Sequence, residues 1–217
     1  ADMGARVINC SWGYYRQSKV LREAVIYAQE KGAIIVAAVG NTSTDRREYP
    51  ASFPGVVGVG SIDIDHNRSY YSSFGEQLDF AAYGRRILSS LPRNKYGYKS
   101  GTSQSAAVIT GMIAKLLSHY PDLDAKGINK ILESCAASPH EKDIWVGHGA
   151  IQVNYLIQAL NQAQVVDSLS NSDQELEFQS TDEESLSLDR VLNYPNPIRV
   201  ESTTFGFEVN RDNAIYK

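Results

Sequence analysis

Apolar residues come in short β-branched runs near the start of the chain, with one helical repeat between the first two. Residues 6–10 form the first run, ending in Val7-Ile8-Asn9-Cys10, and suit a central parallel strand. Across residues 17–31, Val20, Leu21, Ala24, Val25 and Ala28 fall on one helical face, and Gly32 closes the predicted helix. Ala33-Ile34-Ile35-Val36-Ala37-Ala38 is the next buried strand, so the three pieces form a βαβ unit whose crossover is expected to be right-handed. Val39-Gly40-Asn41-Thr42 ends that strand, and a polar loop with Asp45, Arg46, Arg47 and Glu48 follows. After the turn-rich Tyr49-Pro50-Ala51-Ser52-Phe53-Pro54, Val56-Val57-Gly58-Val59-Gly60 predicts a third strand. Residues 74–82 read as an irregular stretch ending in a small strand, and residues 87–91 as a further short one. Helices are predicted over 102–119, over 125–135 with Asp124 as the cap, and over 153–163 after the turn Gly147-His148-Gly149.

The pattern changes after residue 163. Residues 164–190 are rich in Ser, Asp and Glu and lack an apolar period, which predicts a solvated linker. Tyr194-Pro195-Asn196-Pro197 and the alternating Thr203-Thr204-Phe205-Gly206-Phe207-Glu208-Val209 predict a separate β domain over 191–217 that the chain does not complete. Residue 6 already enters a strand and the last residues stop inside a strand pattern, so both ends read as cuts in a longer polypeptide. The expected organisation is therefore 1–163, 164–190 and 191–217. The net charge of −4 offers no electrostatic reason to bind nucleic acid or an anionic membrane, and no apolar run approaches a transmembrane length. Cys10 and Cys135 are too few for a disulfide framework; Cys10 reads as a buried thiol, and a bridge between the two stays open.

The stretch Tyr98-Lys99-Ser100-Gly101-Thr102-Ser103-Gln104-Ser105-Ala106-Ala107-Val108-Ile109-Thr110-Gly111 brings candidate chemistry. Its small residues let a helix sit deep in the protein. Ser103, read as the first residue of that helix, has free backbone N–H groups beside it and the positive end of the helix dipole beneath it. Such a hydroxyl suits a nucleophile whose product carries an oxyanion. For a lone Gly-Thr-Ser, an N-cap serine is the simpler reading.

Five segments in order change that balance: Val7-Ile8-Asn9-Cys10-Ser11-Trp12-Gly13, Val36-Ala37-Ala38-Val39-Gly40-Asn41, the run from Tyr49 to Gly60, the run from Leu91 to Gly97, and Ser100-Gly101-Thr102-Ser103. From about residue 5 to residue 163 the chain resembles the carboxyl-terminal part of the catalytic domain of the subtilisin-like serine proteases (subtilases, peptidase S8). The resemblance implies an α/β, three-layer subtilisin-like fold with a mainly parallel sheet, incomplete at its N-terminal side. It implies peptide-bond hydrolysis through a Ser-His-Asp triad, with Ser103 as nucleophile and Asn41 as side-chain oxyanion donor. Ser11, Trp12 and Gly13 correspond to the backbone edge that pairs with an extended peptide or protein substrate. Gly40 walls the pocket for the side chain preceding the scissile bond, and Thr102 completes the substrate-binding set. Calcium is a family cofactor, but no carboxylate cluster here has a ligand spacing that picks out a site. The residues from Tyr194 to Phe205 resemble the opening of β-sandwich sorting domains on secreted bacterial proteins, which implies export or a cell-surface location.

Two departures matter. The family's Asp and His precede the segment that Val7 begins, and His66, His119, His140 and His148 all lack its His-Gly-Thr context. By this reading the 217 residues alone supply no general base. The run Gln104-Ser105-Ala106-Ala107-Val108 also lacks the proline usual after the nucleophile. A non-catalytic, peptide-binding module on the same scaffold is the alternative.

Overall fold

A computed structural model describes residues 1–138, 141–151 and 156–157. Four parallel strands form the main sheet in the order β1 (Val7–Cys10), β2 (Ile34–Ala38), β3 (Val56–Ile62) and β4 (Phe80–Tyr83). Helix α1 (Lys19–Glu30) connects β1 to β2, which pair in parallel from Val7 opposite Ile34 to Cys10 opposite Ala37. A hairpin of β5 (Ile87–Leu91) and β6 (Lys95–Lys99) leads into α2 (Thr102–His119), and α3 (Ala125–Ser134) follows.

The fully buried β2 shows why three layers form. Ile34, Val36 and Ala38 point to one side, where they join Ala106, Ile109, Ile113 and Leu116 of α2 and Ile128, Ile131 and Leu132 of α3. Ile35, Ala37 and the adjoining Val39 point the other way, into a smaller cluster with Val25 and Ala28 of α1. Period-two alternation on a strand buried on both faces needs apolar residues at every position, which is what this run supplies. Helix α2 crosses β1, β2, β3 and β4. Its buried face is Ala106, Ile109, Met112, Ile113, Leu116 and Leu117, and the buried Ser105 Oγ donates to the Ala82 carbonyl at 3.0 Å.

Several expectations need correction. The first strand was read as suiting a central parallel strand; among the described residues β1 pairs with β2 alone, on the side where the sheet was expected to be incomplete, and Val7 and Ile8 are half-buried. Helix α1 starts at Lys19, because the Ser18 hydroxyl accepts from the Leu21 N–H and ends the preceding extended chain. Its buried stripe is also narrower than the periodicity implied. Val25 and Ala28 are buried, but Val20 is 76% exposed and Ala24 is exposed as well, since α1 touches little beyond β2. Helix α3 ends at Ser134, one residue short of the prediction, with Asp124 capping as expected through Oδ1 to the Gly127 N–H at 2.7 Å.

Strand β6 was not predicted. Tyr96 and Tyr98 share one of its faces, and the connecting loop places Arg93 and Asn94 at φ of 66° and 54°, the left-handed region that an asparagine tolerates. Cys10 and Cys135 are both buried free thiols, which closes the open question of a bridge; burial pushes the Cys135 thiol up to about 11. The linker and the β domain expected beyond residue 163, and most of the helix expected over 153–163, lie outside the described residues.

Truncating Ile113 tests the core assignment. Ile113→Ala in the full-length protein should lower stability by about 2–5 kcal/mol, measured by urea unfolding, while Val20→Ala should stay within about 0.5 kcal/mol. Equal costs at the two positions would contradict the layering described here.

Candidate active site

The carboxyl ends of β1 and β2 and the N-terminus of α2 meet at one place. Parallel strands deliver their last residues to the same edge of the sheet, and the loops there are free to present side chains. Ser11 follows the last residue of β1, Asn41 lies three residues beyond β2, and Ser103 is the second residue of α2. The N-cap is Gly101, so neither the simpler reading of Ser103 as N-cap nor its reading as the first helical residue holds.

Two hydrogen bonds tie β1 to α2 reciprocally. Ser103 Oγ donates to the Ser11 carbonyl at 3.0 Å, and Ser11 Oγ donates to the Ser103 carbonyl at 2.8 Å. Asn41 joins from β2: its Oδ1 accepts from the Thr102 N–H at 2.8 Å and from Thr102 Oγ1 at 3.1 Å. Because a backbone N–H can only donate, this contact fixes which end of the amide is oxygen and leaves Nδ2 as the outward donor. The Ser103 N–H, at the open first turn of an 18-residue helix, has no hydrogen-bond partner among the described residues. The region around Ser103 thus carries a hydroxyl and an uncommitted backbone N–H, with the amide donor of Asn41 anchored to the neighbouring residue.

Gly101 makes this approach possible. Its φ is 154°, and a Cβ there would stand 3.0 Å from Gln104 Oε1 and 3.4 Å from Asn41 Nδ2. Its N–H donates to the Gly84 carbonyl at 2.8 Å, which sets where the helix begins. Thr102 is fully buried beneath the site, holding Asn41 rather than facing an open groove.

The expected substrate edge is open. Trp12 is 51% exposed, Gly13 is exposed, and the main chain of both lacks a backbone hydrogen-bond partner among the described residues. Tyr14 then pairs with Tyr49 through two 2.9 Å backbone bonds, joining the chain after β1 to the loop after β2. Gly40 is buried at the end of β2, with φ of 106°.

None of the described histidines serves Ser103. His66 bonds Tyr83 Oη, His119 bonds Ser118 and Lys115 at the far end of α2, and His148 stacks on Phe80 and bonds the Ser138 carbonyl. His140 lies outside the described residues. Among the described residues no group of three or more His, Cys, Asp or Glu side chains could hold a metal ion, so no residue is assigned to calcium.

Glu48 departs most from its expected place. Read as part of a polar loop, it is 8% exposed, the one buried charged side chain among the described residues. Burial pushes its carboxyl above the usual range, and the positive charge of Arg46 partly offsets that. The sequence holds no local signal for this, because burial comes from the loop folding back onto β1 through the Tyr14–Tyr49 pair.

The chain is similar in sequence and fold to known proteins. The Subtilase family (peptidase S8) matches residues 1–178 of the chain. Subtilisin DY of Bacillus licheniformis is 35% identical over 159 residues, which are 71% of this chain and 58% of that protein. The thermophilic serine proteinase of Bacillus sp. (strain AK1) is 39% identical over 118 residues, 54% of this chain and 29% of that protein. Among solved structures, proteases from Pseudoalteromonas arctica PAMC 21717 superpose with a TM-score of 0.66 at 29% identity, covering 72% of this chain and 51% of that one. The chain thus spans little more than half the length of subtilisin DY, and less of the AK1 proteinase. Matched over most of its length, and with Ser11, Asn41 and Ser103 gathered at the carboxyl end of a parallel sheet, the chain belongs to the Subtilase family.

Proposed function

We propose that this chain carries the nucleophile and oxyanion side of a serine endopeptidase that cleaves extended peptide or protein segments. The observation that carries the reading is the pairing of Ser103, whose N–H is uncommitted, with an Asn41 amide whose oxygen is anchored to Thr102. In the proposed reaction, Ser103 Oγ gives its proton to a histidine outside the described residues and attacks the scissile carbonyl carbon. The carbonyl oxygen becomes an anion that accepts from Asn41 Nδ2 and the Ser103 N–H, assisted by the dipole of α2. Collapse of the tetrahedral intermediate breaks the C–N bond. The amine leaves with the proton from the histidine, and water then releases the acyl group from Ser103. The histidine and its aspartate partner are placed upstream of Val7, following the family order. Export from a bacterial cell is part of the same reading and rests on the bacterial subtilisins among the relatives.

Two measurements on the full-length protein test this. A fluorophosphonate probe should label Ser103, as read by peptide mass, and Ser103→Ala should abolish the label. No labelling at Ser103 in the folded protein would favour the peptide-binding alternative. Asn41→Ala should lower turnover by about 10²–10³, the effect of removing such a donor in a subtilisin, and leave KM nearly unchanged. A rise in KM at constant turnover would instead make Asn41 a ground-state contact.

A further inference from the structure

Glu48 lies where a substrate side chain would be read. Gly13 is two residues past Ser11, and Gly40 immediately precedes Asn41. The Glu48 carboxyl fills the space between these two backbone segments. A Cβ on Gly13 would meet Oε2 at 2.6 Å, and a Cβ on Gly40 would overlap Oε1. Both positions must be glycine for the carboxyl to sit there. Its main chain is fixed on both sides, by the Tyr14–Tyr49 pair and by the Ser52 N–H donating to the Glu48 carbonyl at 2.9 Å.

The carboxyl has no protein partner among the described residues. Among the described residues it makes no ion pair and no side-chain hydrogen bond. The two neighbouring cations are engaged elsewhere: Arg46 lies 4.0 Å above the Tyr15 ring, and Arg47 pairs with Glu76 at 2.6 Å. A largely buried carboxylate that no cation touches directly is costly, even with the charge of Arg46 nearby, and a positive group entering the same space recovers part of that cost.

We propose that Glu48 is a specificity residue: it selects substrates with lysine or arginine immediately before the scissile bond. The inference rests on Ser103 as the reacting residue and on Ser11 to Gly13 as the substrate edge. A peptide laid along that edge, with its carbonyl at Ser103, turns the preceding side chain into the slot between Gly13 and Gly40. A long side chain with a cationic tip reaches the Glu48 carboxylate there. A neutral branched side chain entering there covers the carboxylate and leaves it unpaired.

The test separates binding from turnover. In the full-length protein carrying Ser103→Ala, four peptides identical except for Lys, Arg, Leu or Ala before the scissile bond are titrated by fluorescence anisotropy. The Lys and Arg peptides should bind at least about tenfold more tightly than the Leu and Ala peptides. Adding Glu48→Gln, which keeps the side-chain shape, should remove that preference while Leu-peptide binding is kept. Equal or tighter binding of Leu or Ala, binding of none of the four, or a preference that survives Glu48→Gln would overturn the assignment. The same peptides offered to the protein with Ser103 intact report the catalytic reading on its own. A Lys and Arg preference in binding without hydrolysis of any peptide would refute the protease and uphold the role of Glu48.

Discussion

The site depends on how the first turn of α2 is held against the ends of β1 and β2. Ser103 and Ser11 exchange hydrogen bonds, the Thr102 N–H reaches Asn41, and the Gly101 N–H reaches the Gly84 carbonyl. These contacts use groups that a helix terminus and a strand end would otherwise leave to water. They also fix positions. The apolar body of α2, from Ala106 to Leu117, sets its depth over the sheet, and the polar contacts at Thr102 and Ser103 set its register along the sheet edge. Shifting α2 along its axis would break the Thr102–Asn41 bond and both serine bonds together.

In the proposed reaction, the same packing holds the oxyanion donors in place. An amide such as Asn41 can point either end toward a neighbour, and an oxyanion requires the nitrogen. Thr102 removes that freedom by occupying Oδ1 with two donors. The Ser103 N–H stays uncommitted for a different reason: an α-helix has no intrahelical acceptor for its first N–H groups. Donors held in advance cost no reorganisation when charge develops, which is where such sites gain most of their effect. Ser103 Oγ is less free, since its hydroxyl rests on the Ser11 carbonyl. In the proposed reaction that bond is exchanged for one to a base before attack, which frees the Ser11 carbonyl for the substrate backbone.

Much of this was legible in the sequence, for reasons that differ by residue. The sheet strands β2 and β3 stood out because burial on both faces demands unbroken apolar runs. Ser11, Asn41 and Ser103 were legible through the order and spacing of their motifs, and the structure brings them together. Exposure along α1 was not legible: periodicity marks the side of a helix that can be buried, and Val20 and Ala24 lie where no second layer covers it. Strand β6 was hidden because Lys95, Tyr96, Gly97, Tyr98 and Lys99 are mostly exposed and carry no buried stripe. Glu48 was the least visible, because its burial comes from a contact between segments about 35 residues apart in sequence.

The central claim is that Asn41 Nδ2 and the Ser103 N–H together receive the oxyanion. A crystal structure of the full-length protein with a peptide boronic acid on Ser103 tests it most directly, since the tetrahedral boronate reproduces the shape and charge of the intermediate. One boronate oxygen should lie about 2.7–3.1 Å from both Asn41 Nδ2 and the Ser103 nitrogen, with Thr102 still bonded to Asn41 Oδ1. A boronate on Ser103 whose oxygens all point to solvent, or an Asn41 amide turned away from it, would contradict the account.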